Sequence, residues 1–159
     1  MSEMNRRDLC VVLPMLAALG SRLGEAQAMS PARPGEKVLS ESKTYRYGEL
    51  PVKESANGES RAVVQGVLVT GEPVELHETT LLPGHSPHPP HRHRHSEFML
   101  IRDGDLEFTS DGNTSRVGPG GVIFAASNTL HGLKNVGEQP ANYFVIAIGR
   151  ESGVTPVKG

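Results

Sequence analysis

Short apolar or alternating runs, separated by turn signals, recur along most of the chain. Alternation with a period of two is typical of strands, and Gly, Pro, Asn and Asp between such runs are typical of tight turns. The runs that predict strands are 62–70, 74–82, 91–101, 105–109, 114–117, 122–125, 130–136 and 141–148, with 44–47 as a first edge strand. Asp111-Gly112-Asn113 is a strong hairpin signal between two of these runs.

This pattern predicts an all-β fold. The chain has 159 residues, enough for one domain, and it contains 18 Gly and 12 Pro but no Trp. No helical pattern of useful length follows residue 29. We therefore expect a single-domain antiparallel β-barrel or jelly roll over residues 44–150, whose interior could hold a ligand or a metal.

The N-terminal segment has the pattern of an export signal. The basic pair Arg6-Arg7 precedes an apolar run over 9–19, and Ala26-Gln27-Ala28 is a small-residue cleavage signal. The paired arginines resemble a twin-arginine signal, with an ordinary Sec signal as the alternative. A buried helix with a basic cap is the competing interpretation, but Pro14 would interrupt it. We expect a signal peptide over 1–28.

Cleavage near Ala28 would remove Cys10, which is the only cysteine of the chain. A mature protein without thiols suits an oxidising compartment, so we expect a periplasmic or secreted bacterial protein. Residues 29–43 would follow as a Pro-rich linker, and 151–159 would form a tail.

Charge and hydropathy exclude some partners. The net charge of −2 at pH 7 gives no field that would attract nucleic acid, and no apolar run after the N-terminal segment is long enough to span a bilayer. We expect no nucleic-acid partner and no stable membrane anchor. A small-molecule ligand or substrate remains as the expected partner.

Histidines are concentrated in one stretch. Five of the seven histidines lie within 84–104, and Glu97 follows them. On a strand, His91, His93 and Glu97 share one face, because successive side chains alternate. His95 has the same parity, and nothing local excludes it from the group. Imidazole nitrogens and a carboxylate on one face are a combination that can bind a divalent ion.

Neighbouring residues extend this interpretation. Phe98 and Leu100 have the opposite parity, so they are expected on the other face of the same strand. Glu75 and His77 lie on the preceding predicted strand, where they either enter the cavity behind the ligands or lie on the surface.

At this point the chain resembles the cupin family, whose first motif is G-x5-H-x-H-x3,4-E-x6-G. His91, His93, Glu97 and Gly104 match it in order and spacing. The first glycine departs from the pattern, because Gly84 is one residue too far from His91. The approach through the neighbouring prolines is therefore expected to differ from the family's.

The second cupin motif, G-x5-P-x-G-x2-H-x3-N, begins at Gly120 and is matched by His131 and Asn135. Ala126 stands where the family has Pro, and Asn128 stands where it has Gly. Asn adopts the left-handed conformation more readily than most residues, so we expect the turn to form. For Asn135, a structural place at a turn or strand end is expected rather than a catalytic role.

The resemblance implies that His91, His93, Glu97 and His131 bind one divalent metal ion. A set without thiolate suits Mn, Fe, Ni, Co, Cu or Zn and does not select among them. Whether His88 or His95 joins the site is open, and His85 and His88 could equally belong to a solvated His/Pro loop.

The resemblance further implies a metal-dependent enzyme acting on a small molecule, with dioxygenase-like or isomerase-like activity. A cupin that binds a metal or small ligand without turnover is the alternative. Family members often pair through sheet edges, so a homodimer through 44–47 or 141–148 is compatible with the sequence.

Overall fold

The computed structural model describes residues 34–150, so the predicted signal peptide and tail lie outside the described residues. A short 3-10 turn occupies Tyr47–Glu49, and no helix within this range is long and apolar enough to cross a membrane. Ten strands make up the described range: β1 Val38–Leu39, β2 Val52–Ser55, β3 Gly58–Leu68, β4 Pro73–Leu81, β5 Ser96–Asp103, β6 Leu106–Ser110, β7 Asn113–Val117, β8 Val122–Ala125, β9 His131–Asn135 and β10 Ala141–Ile148.

The strands form two sheets. The larger has seven strands in the order β1-β3-β4-β10-β5-β8, with β2 paired to β3, and the smaller has the order β7-β6-β9. All pairings are antiparallel except that of β1 with β3. The buried apolar cluster draws side chains from both sheets: Leu81, Met99, Ile101, Leu106, Ile123, Ala125, Leu133, Ala141, Tyr143 and Val145. The all-β jelly-roll prediction is confirmed, as two hydrogen-bonded sheets rather than one closed cylinder.

Strand β10 lies in the interior of the larger sheet. It pairs with β4 on one side and with β5 on the other. Its residues alternate, so that Tyr143, Val145 and Ala147 are buried. The expectation that 141–148 is an edge available for pairing between copies was therefore wrong, because both hydrogen-bonding edges of this strand are already used.

The expected edge strand at 44–47 is also absent. This segment contains no strand, and the 3-10 turn begins at Tyr47. The Tyr47 ring lies against the guanidinium groups of Arg61 and Arg102, at 4.4 Å and 5.5 Å from its centroid. These contacts join residues far apart in the sequence, so no local pattern indicates them.

The predicted strand 91–101 is shorter than expected at its start, because β5 begins at Ser96. His91 instead forms a backbone bridge with His131 of β9, with N–H···O distances of 2.9 Å and 3.0 Å. Residues 91–95 thus cross from the smaller sheet to the larger one. They cannot continue a single strand, since their two ends belong to different sheets.

Local turn chemistry is confirmed at two places. Asp111 and Gly112 have φ values of 44° and 83°, as a type I′ hairpin between β6 and β7 requires. Asn128 has φ of 61°, in the left-handed region expected for it. Asn would carry less strain there than most residues, and it replaces the family's glycine.

Asn135 is a structural residue, as expected. It is fully buried at the end of β9. Its Nδ2 donates to the carbonyl oxygens of Leu81 and Gln139, and its Oδ1 accepts from the Gly137 amide. These bonds join three chain segments, and they explain why an amide side chain is suited to this position of the second motif.

Replacement of Gly104 by Ala is expected to destabilise the fold far more than Gly112→Ala. Both residues have positive φ, at 86° and 83°. A Cβ added at Gly104 would lie 2.6 Å from Ala141 Cα, whereas a Cβ added at Gly112 would meet no heavy atom of the described residues within 4 Å, apart from its chain neighbours. We expect a loss of about 1 kcal/mol for Gly112→Ala from backbone strain. The loss for Gly104→Ala should exceed about 3 kcal/mol, because β10 backbone must also move. Urea denaturation measures both, and equal losses would contradict the steric argument.

Candidate metal centre

Three imidazoles converge between the two sheets. His91 and His93 come from the crossing segment 91–95, and His131 is the first residue of β9. One nitrogen of each ring lies within 4.8 Å of the others. His93 and His131 are almost completely buried, with exposed fractions of 4% and 2%. The structure therefore brings together the three histidines that the two sequence motifs single out.

Backbone carbonyls fix the orientation of two of these rings. His93 Nδ1 donates to the carbonyl of His95 at 2.8 Å, and His131 Nδ1 donates to that of Thr129 at 2.9 Å. In the neutral form of each ring the proton therefore resides on Nδ1, and Nε2 presents a lone pair. Both Nε2 atoms, and Nδ1 of His91, are buried without a hydrogen-bond partner among the described residues. Unpartnered imidazole nitrogens of this kind are suitable donors to a divalent ion.

Glu97 adds a carboxylate from the inner face of β5. Its Oε2 lies 3.3 Å from His93 Nε2 and 3.7 Å from His131 Nε2. Its other oxygen, Oε1, is 3.0 Å from Nε2 of His95. Thus His95 is hydrogen-bonded to one carboxylate oxygen of Glu97, while the other oxygen faces His93 and His131. The four residues predicted as ligands are adjacent, and their binding of a metal stays a prediction.

Two of the four candidate ligands, His91 and Glu97, are in the protonation state that metal binding requires. Burial and the nearby imidazoles of His88 and His131 lower the pKa of His91 to about 4, so this ring is neutral near pH 7. Burial alone would raise the pKa of Glu97, but the imidazoles of His131 and His95 outweigh it. The pKa of Glu97 is therefore held far below its usual range, and the group is a carboxylate.

His131 is the exception. Burial lowers its pKa, but the Glu97 carboxylate and the Thr129 carbonyl raise it by more. Its pKa lies above the ordinary value of 6.5. In the metal-free protein, this ring therefore keeps its second proton, and its positive charge, at pH values where His91 is neutral.

The other histidines of the stretch differ in position. The His95 ring stacks on His93, with centroids 3.7 Å apart and planes at 12°, and a nitrogen of His95 lies near those of His93 and Glu97. The His88 ring meets His91 edge-on at 4.0 Å. His85 is exposed and bonded to the Pro83 carbonyl. The structure places His95 and His88 against the candidate ligands and His85 away from them.

A chamber of about 150 Å³ adjoins the centre. His77 enters it from β4, and its Nδ1 lies 2.9 Å and 3.1 Å from the two Glu75 oxygens. Sequence reasoning left the placement of this pair open, and the structure puts His77 in the cavity. The lining consists of His77, Pro87, His88, Glu97, Met99, His131, Leu133, Tyr143 and Val145.

Tyr143 is a chamber residue that sequence reasoning did not single out. It is 2% exposed on the inner face of β10, and burial raises the pKa of its phenol, which therefore remains protonated. The alternation of β10 was the available signal, because Tyr143 has the parity of the buried positions. A second cavity of about 530 Å³ lies beyond His95 and Glu75, and an ion pair between Arg150 and Glu36 stands at its border.

Metal affinity is expected to rise with pH through the raised pKa of His131. Below that pKa the metal-free ring carries a second proton, on Nε2, and metal binding must displace it. Titration calorimetry with Zn²⁺ between about pH 6 and 8, in buffers of different ionisation enthalpy, measures the proton release. His85→Ala should show the same dependence as the wild type. An affinity independent of pH over this range would contradict the assignment of His131 as a ligand.

Comparisons with known proteins agree with this geometry. The family model described as "Cupin domain" matches residues 77–147, which contain all four candidate ligands. No curated protein sequence matches the chain.

Solved structures share the fold at low sequence identity. The polyketide cyclase RemF from Streptomyces resistomycificus is 20% identical, with 74% of this chain and 87% of that chain covered and a TM-score of 0.60. An RmlC-like cupin from Shewanella frigidimarina is 14% identical, with 69% and 93% covered and a TM-score of 0.58. A predicted oxalate decarboxylase from Thermotoga maritima is 18% identical, with 68% and 100% covered and a TM-score of 0.58. The family match and the shared fold together support placing this chain in the cupin superfamily.

Proposed function

We propose that this protein is a metal-dependent enzyme for a small molecule, with one divalent ion held by His91, His93, Glu97 and His131. The observation that carries the proposal is the set of three buried imidazole nitrogens without a hydrogen-bond partner among the described residues. An unsatisfied buried polar group costs about 1–3 kcal/mol, so unpartnered nitrogens on three neighbouring rings favour a ligand that satisfies them. A divalent ion does so and also balances the Glu97 carboxylate.

A bound ion would supply Lewis-acid chemistry, by polarising an oxygen of the substrate. The nitrogen and carboxylate donors suit Mn, Fe, Ni, Co, Cu or Zn. His95 would hold the free oxygen of Glu97 in place, because its Nε2 is already 3.0 Å from that atom.

The chamber residues favour proton-transfer chemistry of the isomerase-like kind. Glu75 engages Nδ1 of His77 with both oxygens, which leaves Nε2 of that ring to accept or donate a proton. The buried phenol of Tyr143 can donate a hydrogen bond to a substrate oxygen. A dioxygenase-like reaction would use the same ligands with iron, and the metal identified in the purified protein separates the two.

The relatives agree with an enzyme in general terms only. Two of them are described as a polyketide cyclase and a predicted oxalate decarboxylase. At 20% and 18% identity they support the fold, and their substrates are not transferred to this chain. The chamber of about 150 Å³ favours a substrate that is small.

A cupin that binds a metal or small ligand without turnover is the second candidate. His88 and His95 favour it, since their rings adjoin the candidate ligands and exceed what one catalytic ion needs. Stoichiometric binding without turnover, across a panel of small hydroxy and keto acids, would support this candidate over the enzyme.

Elemental analysis tests the metal site directly. The protein, purified without a metal-binding tag, is expected to contain one equivalent of a divalent metal. His131→Ala should retain less than about one tenth of it, because it removes one of the few donors. His85→Ala is the matched control, since the His85 side chain is exposed and bonds only to the nearby Pro83 carbonyl, and it should keep the full equivalent. A metal-free wild type, or His131→Ala with full metal content, would contradict the proposed site.

We propose also that the protein is exported through the twin-arginine route, to the periplasm or beyond the cell. The support is the sequence alone: Arg6-Arg7, the apolar run 9–19 and the cleavage signal at Ala26–Ala28. Replacement of both arginines by lysine is expected to leave the uncleaved chain in the cytoplasm, whereas the wild type is cleaved near Ala28. Cell fractionation with mass spectrometry measures both. Normal export of the double variant would indicate a Sec signal instead.

A further inference from the structure

A cavity of about 530 Å³ lies beside the candidate metal centre, and we call it the outer cavity. It is lined by residues 36–37, 65–67 and 73–75 and by His95, Ala147 and Gly149. Most of these positions lie outside residues 77–147, which match the cupin family. The outer cavity is therefore a feature of this chain that the family match does not account for.

The chamber at the metal centre is smaller than most ligand pockets. Its volume is about 150 Å³, whereas pockets that bury a small molecule usually measure about 300–1,000 Å³. The outer cavity, at about 530 Å³, lies within that range. A molecule whose reacting end occupies the chamber needs further space for its remaining atoms, and the outer cavity has a sufficient volume.

Two hydrogen-bonded pairs separate the two cavities. His95 lines the outer cavity, and its Nε2 lies 3.0 Å from Oε1 of Glu97, which lines the chamber. Glu75 lines the outer cavity, and its Oε1 lies 2.9 Å from Nδ1 of His77, which lines the chamber. Because each pair has one residue in each cavity, the outer cavity and the chamber are neighbours across a partition one side-chain pair thick.

The inner face of β10 leaves more space toward the outer cavity. Tyr143 and Val145 line the chamber, whereas Ala147 and Gly149, further along the same face, line the outer cavity. The side chains on this face thus become smaller at each step from the chamber to the outer cavity. Less of the interior is filled in that direction, because each step removes side-chain volume.

Ala147 lies between the two hydrogen-bonded pairs. In the register of the larger sheet it is opposite Glu97 of β5 on one side and opposite Glu75 of β4 on the other. It is 7% exposed and belongs to the inner face, so its methyl group points into the interior. A larger side chain at this position would project between the two pairs, into the shortest route from one cavity to the other.

The charged side chains of the outer cavity are largely paired within the protein. Glu36 accepts a hydrogen bond from Arg150 at 2.7 Å, and Glu75 is bonded to His77. Lys37 is exposed, so its ammonium group can remain in water. The other side chains of the wall are mostly apolar: Val67, Pro73, Val74 and Ala147. A ligand in the outer cavity thus meets apolar surface and paired charges, which suits an uncharged apolar group.

We propose that the outer cavity holds the apolar tail of the substrate, while an oxygen-bearing head group of the same molecule reaches the metal past Ala147. The substrate class is a carboxylate or carbonyl compound with a short alkyl tail. This inference rests on the proposed function, because the head group needs the bound ion. Ala147 is the residue that determines specificity for the tail, since its size decides whether a tail can pass between the pairs.

A chain-length series on the cobalt-loaded protein tests this inference. Cobalt suits the candidate ligands, and its visible absorption changes when a carboxylate binds to it, so the titration reports the head group directly. Acetate, butyrate and hexanoate are the probes. Each added methylene should lower the dissociation constant by about 2- to 4-fold, because it moves from water to apolar surface. Hexanoate should therefore bind at least about 10-fold more tightly than acetate.

Ala147→Leu should remove the advantage of hexanoate, because the added side chain would project into the route of the tail. The ratio of the acetate and hexanoate dissociation constants should fall from at least about 10-fold to below about 3-fold. Ala147→Val, which suits a strand, should lower this ratio by a smaller amount. Ala126→Leu is the matched control, since Ala126 is exposed in the loop after β8, and it should keep the wild-type ratio.

The outcomes separate this inference from the proposed function. A protein that binds no cobalt overturns the proposed function, and this inference with it. With cobalt bound, equal affinity for the three probes overturns the inference alone, and so does an Ala147→Leu protein that keeps the wild-type ratio. If Ala147→Leu fails to fold, Ala147→Val and the wild-type series decide.

Adipate tests the apolar character of the tail, because it carries a second carboxylate where hexanoate ends in a methyl group. It should bind more weakly than hexanoate, since a charge would enter an apolar cavity. Tighter binding of adipate than of hexanoate, lost in Lys37→Gln, would show an anionic tail held by Lys37 and would overturn the proposed substrate class.

Discussion

The backbone bridge between His91 and His131 is the interaction on which the rest of the site depends. Its two hydrogen bonds join the start of the crossing segment 91–95 to the first residue of β9. Because the same two residues carry converging imidazoles, one main-chain contact at the edge of the smaller sheet sets the spacing of two candidate ligands. His93 and Glu97 follow along the crossing, and the segment delivers them to the same point. The centre thus lies where the chain crosses from the smaller sheet to the larger one.

This arrangement buries polar atoms in the interior at a cost. Among the described residues, three imidazole nitrogens have no hydrogen-bond partner there, and Glu97 is a carboxylate beside them. Backbone carbonyls hold the rings of His93 and His131 so that the unpartnered nitrogens point together. Groups held apart from protein partners in this way are preorganised for an ion, and the energy that their burial costs would be offset when the ion binds.

The alternation of the strands assigns two roles to one sheet. Glu97 and Tyr143 face inward to the metal centre and chamber, while Phe98 and Phe144 face outward. A shift of one residue in the register of β5 would exchange these faces, and it would turn the candidate ligand Glu97 away from the centre. The central position of β10, paired on both sides, fixes that register. Stability of the inner site and exposure of the outer face thus follow from the same pairing.

Local features of the chain were predictable from its sequence. Strands β8 and β10, the Asp111-Gly112 turn and the left-handed Asn128 follow from period-two alternation and turn chemistry, which act over a few residues. The motif spacing also singled out the four residues that the fold brings together.

Long-range features were decided only by the tertiary structure. Three of these features depend on pairing between segments far apart in the chain. They are the interior place of β10, the crossing at 91–95, and the entry of His77 and Tyr143 into the chamber. The alternation of residue types along a strand determines which side chains share a face. This alternation cannot determine which other strand pairs with that strand, because every strand offers the same backbone hydrogen-bonding groups at its edges, whatever its side chains.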